Sequence, residues 1–115
     1  MNIVSKNNPL RQYKWGDNCY GWNLVDGSSL SVKLERMPPH TAEQKHFHEK
    51  AQQFFYILNG EAVFEIERER ITAKQGQGIY IESGKVHRII NENDEDLEFL
   101  LSSQPSTASD RINIE

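Results

Sequence analysis

Residues 46–60 read HFHEKAQQFFYILNG, and this stretch decides the fold and the chemistry that we expect of the chain. It begins with His46 and His48 on either side of a phenylalanine, continues to Gln53 and ends at Gly60. Alternate side chains of a β-strand point to the same face, so the two histidines would lie about 6–7 Å apart along one face. Imidazole nitrogens bind zinc at about 2.0–2.1 Å, and two such rings can converge on one ion. The stretch therefore indicates a strand that offers two ligands to a metal ion.

A second stretch, GQGIYIESGKVHRIIN at residues 76–91, supplies one further histidine, His87. A His-x-His pair alone is weak evidence, because many such pairs lie on exposed strand faces and bind nothing. A second element with its own fixed spacing makes a shared site a stronger interpretation.

Short alternating runs separated by turn residues fill most of the remaining chain, the pattern of an all-β sandwich or barrel. Residues 30–36 alternate cleanly and stop at Pro38 and Pro39, which cannot continue a ladder. The charged residues 68–70 are expected at the tip of a hairpin. About ten strands in so small a chain predict an antiparallel jelly roll. The strands are expected near residues 20–25, 30–36, 45–49, 53–58, 61–68, 71–74, 79–81, 86–90 and 97–102, with a possible last one near 110–114.

The two stretches together resemble the paired motifs of the cupin superfamily, in particular its small single-domain members. The first cupin motif runs Gly, five residues, His-x-His, three or four residues, Glu, six residues, Gly, and residues 40–60 keep that spacing. The second runs Gly, five residues, Pro-x-Gly, two residues, His, three residues, Asn, and residues 76–91 keep every interval. The resemblance covers about residues 20–104. It implies an all-β, antiparallel double-stranded β-helix, the jelly-roll barrel of the cupins.

The chain departs from the motifs at four positions. His40 stands in place of the opening Gly of the first motif, Glu82 in place of the Pro of the second, and Gln77 where an acid often follows Gly76. These are turn positions, so the changes mostly concern backbone shape. The fourth departure is Gln53, where cupins usually have a Glu ligand.

The resemblance implies that His46, His48, Gln53 and His87 bind a divalent transition metal. Gln can offer its carbonyl oxygen but brings no charge. An ion held by this neutral set would keep its full 2+ charge, bind less tightly than with Glu, and act as a stronger Lewis acid. Imidazole and oxygen ligands suit Zn, Mn, Fe, Co, Ni or Cu, and the sequence does not distinguish these. The alternative is a cupin whose metal site has decayed, although buried imidazoles without partners are costly.

The bulk properties restrict the possible partners. The chain has 115 residues and a net charge of -4, which argues against a nucleic-acid-binding surface. No apolar run approaches the length that crosses a membrane. The single cysteine, Cys19, cannot form an intrachain disulfide and has no basic neighbour in the pattern to activate it. We expect a cytoplasmic protein with a small-molecule ligand, and the resemblance implies a homodimer.

The domain organisation that we predict has three parts. Residues 1–18 form an N-terminal arm, residues 19–104 form the cupin barrel, and residues 105–115 form a tail or a last short strand.

The surroundings of the site are expected to be largely apolar. Phe55 shares a strand face with Gln53, and Phe99 lies on another inward row, so these two are predicted to line the substrate pocket. Candidate acid–base groups are Glu35, Glu43, Tyr56 and Tyr80, each of which has a surface or structural role as its alternative. No nucleophile–base pair is recognisable, so the catalytic residues stay unassigned.

Three functions are compatible with these features. The first is Lewis-acid catalysis on a small polar or anionic substrate, such as isomerisation, epimerisation or a lyase step on a sugar acid or keto acid. The second is an Fe(II) dioxygenase with a three-histidine centre. The third is a non-catalytic cupin that binds a sugar or metabolite.

Overall fold

Twelve β-strands make up the part of the chain that the computed structural model describes, residues 3–114. No helix there is long and apolar enough to cross a bilayer. The strands are β1 (Arg11–Trp15), β2 (Cys19–Asp26), β3 (Ser31–Met37), β4 (Thr41–Ala42), β5 (His46–His48), β6 (Gln52–Asn59), β7 (Glu61–Ile66), β8 (Glu69–Lys74), β9 (Gly78–Ile81), β10 (His87–Asn91), β11 (Leu97–Gln104) and β12 (Arg111–Asn113).

The strands form two antiparallel sheets. The first has the order β1-β2-β3-β11-β6-β9, and the second has the order β12-β5-β10-β7-β8 with β4 also paired to β10. Neighbouring strands often come from distant parts of the chain, as in the pairings of β3 with β11 and of β5 with β10. This arrangement confirms the all-β jelly roll that the alternating runs and the paired motifs predicted.

The apolar core lies between the two sheets, where the inward residues of each strand meet. In β11 the alternate residues Leu97, Phe99, Leu101 and Ser103 are buried, while those between them are only partly buried. Each large apolar side chain buried in this way stabilises the fold by about 1.5–3 kcal/mol. The members of the core cluster are Cys19, Met37, Phe55, Ile57, Ala62, Phe64, Ala73, Ile81, Ile89, Leu97, Phe99 and Leu101.

The structure differs from the predicted layout at the N-terminal end and has the short last strand that was one alternative at the C-terminal end. Residues 11–15, expected within an arm, form β1 and pair along their whole length with β2. Residues 111–113 form β12, which pairs with β5 and so lies beside the His-x-His strand. The hairpin between β7 and β8 turns at Glu67, whose φ is +53°, and Arg68, rather than over residues 68–70.

Asn91 and Gly60 fix two of the loops that join the strands. The buried Asn91 side chain donates hydrogen bonds of 2.9–3.1 Å to the carbonyls of Met37, Pro38 and Glu95. Gly60 has φ +85°, and a Cβ there would lie 2.8 Å from the carbonyl oxygen of Asp96. Only glycine fits that conformation and that close approach. These motif positions are therefore structural and hold the strands that carry the histidines.

Candidate metal centre

Three histidines from two adjacent strands meet inside the barrel. His46 and His48 alternate on β5, and His87 begins β10 directly opposite His46. All three are buried, with 2–3% of their surface exposed. Their ring centroids lie 4.4 Å apart for His46–His87, 4.9 Å for His46–His48 and 5.9 Å for His48–His87. One nitrogen from each ring lies within 4.8 Å of the others, so the group is able to hold a metal ion.

Hydrogen bonds to backbone carbonyls orient two of the rings. Nδ1 of His46 is 2.8 Å from the carbonyl oxygen of Gln44, and Nδ1 of His87 is 2.9 Å from that of Lys85. A carbonyl oxygen only accepts hydrogen bonds, so Nδ1 carries the proton in both rings. Nε2 of each ring therefore keeps its lone pair, which is how metal-ligating histidines are commonly held.

Gln53 enters the barrel from the other sheet. It lies on β6, is 5% exposed, and its Nε2 donates a 3.1 Å hydrogen bond to Oγ of Ser103 on the adjacent β11. This bond leaves the carbonyl oxygen Oε1 buried without a hydrogen-bond partner among residues 3–114. Gln53 and the β5 histidines line the same cavity.

Burial keeps the histidines neutral. Desolvation lowers the pKa of His46 to about 4 and that of His48 to about 4, and it also lowers the pKa of His87. The neighbouring imidazoles add to this effect at His48, because two nearby positive rings would repel each other. At neutral pH the cluster therefore offers unprotonated nitrogens.

The polar atoms of this cluster fit a metal ion. Within residues 3–114, both nitrogens of His48, Nε2 of His87 and Oε1 of Gln53 are buried and have no hydrogen-bond partner. Each unsatisfied buried polar atom costs about 1–3 kcal/mol. An ion with nitrogen and oxygen ligands would satisfy several of these atoms at once. A purely structural role for these side chains does not explain why the atoms are buried without partners.

A cavity of about 300 Å³ opens above this cluster. Phe55 and Leu101 form its apolar wall, and Phe55 is also the aromatic ring that packs against His87, with centroids 6.5 Å apart. Phe99, expected in the lining, is not among the residues that line this cavity. It is fully buried one layer behind, with its ring centroid 5.6 Å from that of Phe55.

Charged side chains also line the cavity. Only some of these residues were identified from the sequence. Of the four candidate acid–base groups, Glu35 and Glu43 line the cavity, whereas Tyr56 and Tyr80 are exposed elsewhere on the first sheet. Sequence reasoning did not find Tyr13, Trp15, Lys33, Thr107, Ala108 and Arg111, which also line it. The alternation of Tyr13 and Trp15 with polar residues was the available signal for β1, while nothing local marks Arg111.

Arg111 is brought to the cavity by an anchored C-terminal segment. The carboxylate of Asp110 accepts hydrogen bonds of 2.9–3.3 Å from the backbone N–H groups of residues 49–51. Beside it, Arg111 donates to Glu43 at 3.3 Å, and Oε1 of Glu43 lies 3.8 Å from Nδ1 of His46. Burial raises the pKa of Glu43, and the Arg111 guanidinium opposes that shift.

Comparison with known families identifies the fold family. The family model described as the cupin domain matches residues 33–103, more than half of the chain. The chain belongs to the cupin family. This cupin is 37% identical over 65 residues to the oxalate-binding protein of Thermotoga maritima, a match that covers 56% of this chain and 54% of that protein. The matched segments span about half to two thirds of the curated relatives' own length.

Solved structures resemble this cupin over nearly its whole length. A predicted oxalate decarboxylase from Thermotoga maritima aligns with a TM-score of 0.80 at 23% identity, over 91% of this chain and 100% of the other. KdgF from Halomonas sp. aligns with a TM-score of 0.82 at 13% identity, over 91% of this chain and 95% of the other. At these identities the likeness shows the fold.

The turn substitution at position 40 of this cupin is accommodated by the backbone. His40, which replaces the opening Gly of the first motif, has φ +58°, and its side chain bonds Asp94 at 2.8 Å. Gly84 of the second motif has φ +82°. Position 40 thus keeps the left-handed conformation that suits glycine although its residue has changed.

Proposed function

We propose that this cupin binds a divalent transition-metal ion through His46, His48, His87 and Gln53 and acts on a small carboxylate. The observation that carries the proposal is the set of buried, unpartnered nitrogen and oxygen atoms of His48, His87 and Gln53, next to a cavity that His46, His48 and Gln53 line. The ligands would all be neutral, so Zn, Mn, Fe, Co, Ni or Cu would keep a 2+ charge there. When bound, the ion supplies Lewis acidity that attracts and polarises a carboxylate or carbonyl oxygen.

The residues at the mouth favour an anionic ligand of limited size. Lys33 and Arg111 line the cavity together with Glu35 and Glu43, and Arg111 is paired with Glu43, so Lys33 and the 2+ ion would provide the attraction for an anion. A volume of about 300 Å³ is at the lower end of the range for small-molecule sites. The relative named an oxalate-binding protein supports a short carboxylate as the ligand class. We therefore propose a sugar acid, keto acid or dicarboxylate as substrate, with isomerisation, epimerisation or a lyase step as the reaction.

The proposal is tested by the metal content of protein purified without an affinity tag or chelator. We expect about one ion per chain by elemental analysis, as for a single mononuclear site. Oxalate should then bind the metal-loaded protein in calorimetry and fail to bind the metal-free protein. Protein that retains no ion after incubation with any of the six metals would contradict the proposal. Oxygen consumption by the Fe(II)-loaded protein would instead support a dioxygenase.

Restoring the carboxylate at position 53 should strengthen metal binding. We expect Gln53→Glu to lower the metal Kd by about 10-fold or more, because the added negative charge attracts the ion directly. Oγ of Ser103 can donate its hydroxyl proton to the new carboxylate, so the orienting contact survives. Calorimetric titration of the metal-free variant measures the change.

The matched control for this prediction is Gln52→Glu on the same strand. The side chain of Gln52 donates a hydrogen bond to Gln104 and accepts one from Tyr80, and it does not line the cavity. Its replacement should leave the metal Kd unchanged. Equal Kd values for Gln53→Glu and the unaltered protein would remove position 53 from the ligand set.

A further inference from the structure

A tyrosine–glutamate pair forms part of the cavity wall, and the metal cluster does not use it. Tyr13 on β1 and Glu35 on β3 lie in one row across the first sheet, each paired in register with Gly21 of the intervening β2. The phenol crosses over Gly21, where an added Cβ would overlap the ring. It donates a 2.5 Å hydrogen bond to Oε2 of Glu35. The missing side chain at position 21 thus allows the two residues to meet.

Glu35 differs from the other cavity acid in its partners. Glu43 is paired with Arg111, whereas the hydrogen bond that Glu35 receives comes from the neutral Tyr13. Glu35 is 9% exposed, and within residues 3–114 the structure shows no hydrogen bond to its Oε1. A carboxyl group that lines a ligand cavity, with one oxygen held and the other free, is positioned to exchange a proton with a bound molecule.

The charges around Glu35 support this role. Burial raises the pKa of Glu35 to about 7, and the nearby Glu43 adds to the shift. The Tyr13 hydrogen bond, Lys33 on the same strand and Arg111 on β12 lower it. Cys19 on β2 is a further titratable group that interacts with Glu35. A carboxyl group poised near neutrality can both take and return a proton.

We infer that Glu35, positioned by Tyr13, transfers a proton to and from the carbon beside the carbonyl of a 2-oxo carboxylate held in the cavity. The inference rests on the proposed metal and carboxylate site and adds the substrate class and the proton-transfer group. No Cys or Ser lines this cavity in the part of the chain described, so no thiol or serine hydroxyl is available there as a nucleophile for covalent catalysis. Glu35 can take the proton while the Lewis-acid site stabilises the enolate oxygen, so this arrangement suits enolisation, which needs no further reagent.

The step balances without a co-reactant. The Glu35 carboxylate takes the proton from the carbon next to the carbonyl, and the C–H electron pair becomes the C=C bond of the enolate. The carbonyl π pair moves onto the oxygen. Return of the proton from Glu35 to the same carbon gives back the substrate. Where that carbon carries a hydroxyl group, the hydroxyl proton moves to the former carbonyl oxygen, and return of the carbon-bound proton to the neighbouring carbon isomerises the substrate. In D2O the returned particle is a deuteron, so the step is visible without any net reaction.

Deuterium exchange into pyruvate tests the inference. The protein is loaded with the divalent ion that it retains best, and loss of the pyruvate methyl signal in D2O is followed by proton NMR. We expect Glu35→Gln to slow the exchange by about 100-fold or more, as for loss of a general base. Tyr13→Phe should move the midpoint of the rate–pH profile to higher pH, because the lost hydrogen bond stabilised the charged carboxylate.

Two controls separate this role from a structural one. Glu98→Gln removes an acid of the same sheet that pairs with Lys6 outside the cavity, and it should leave the exchange rate unchanged. Metal content and pyruvate affinity should be the same in all three variants as in the unaltered protein. A loss of exchange that merely follows a loss of bound metal would overturn the role assigned to Glu35.

The remaining outcomes also decide between the two proposals. Pyruvate that binds the metal-loaded protein without exchange, or exchange that survives Glu35→Gln, overturns the inference and leaves the proposed function standing. If the protein binds oxalate but not pyruvate, 2-oxo carboxylates are excluded as substrates. This result too overturns the inference and leaves the proposed function standing. Protein that retains no metal fails the proposed function itself, and the inference fails with it.

Discussion

Replacing His87 with alanine should reduce the affinity of the protein for its metal ion by about 100-fold or more. Removing a residue that hydrogen-bonds a metal ligand already lowers metal affinity by about 10–100-fold. Removing the ligand itself should lower the affinity by more. In the unaltered protein, an ion at 100 times its Kd adds about 2.7 kcal/mol to the free energy of unfolding. For a domain of this size we expect the melting temperature to rise by about 10 °C or more. The variant should show almost none of this rise.

The chain offers a histidine outside the cluster as the control for this experiment. His40 is exposed, bonds Asp94 and takes no part in the buried group. His40→Asn is the suitable change because asparagine tolerates the left-handed backbone at that position. It should keep full metal binding and the full shift in melting temperature. A shift that persists in His87→Ala would show that the stabilising ion binds elsewhere.

The sequence predicts the barrel and the histidine cluster well because both depend on local regularities or on the paired motifs. Strand alternation places His46 and His48 on one face whatever the rest of the chain does. The pairing of His87 with His46 is not local, and it was predicted because the resemblance to the two cupin motifs implies it. These features explain why the cupin fold and a three-histidine group able to hold an ion are confirmed.

The cavity wall could not be predicted in the same way, because it depends on pairing between distant residues. Tyr13 reaches Glu35 only because β1 pairs with β2 in a register that puts Gly21 between them. Arg111 reaches Glu43 only because Asp110 binds backbone N–H groups about sixty positions earlier in the chain. Treating residues 1–18 as an arm misses the first of these contacts. A short last strand near residues 110–114 was expected, but its expectation alone does not place Arg111 beside Glu43. The homodimer and the cytoplasmic location stay predictions.

The metal-free protein should become less stable as the pH falls from about 6.5 to about 4. The pKa values of His46 and His48 are lowered to about 4 in the folded state, whereas an unfolded histidine titrates near 6.5. In that window the unfolded chain binds more protons than the folded one, so acid favours unfolding. Their contribution is fully present above pH 6.5. At 1.36 kcal/mol for each pKa unit, one such histidine accounts for on the order of 3 kcal/mol.

Glu35 works in the opposite direction and has to be separated from the histidines. Its pKa is raised to about 7, so its contribution is fully present below its unfolded value and is lost as the pH rises through 7. The Glu43 pKa is also raised, with the same sign. These acids therefore mask part of the loss of stability caused by the histidines as the pH falls.

Urea unfolding of the metal-free protein at several pH values between 7.5 and 4.5, with and without Glu35→Gln, measures the two effects. Glu35→Gln removes the opposing titration, so the free energy of unfolding should fall more steeply on acidification in this variant than in the unaltered protein. His48→Gln should make the fall shallower, because it removes one of the two strongly shifted imidazoles. A free energy of unfolding that is flat or rising toward pH 4.5 in Glu35→Gln would mean that the cluster is not held neutral by burial. The ligand nitrogens would then take up protons near pH 6.5, and metal binding would weaken at a higher pH than burial predicts.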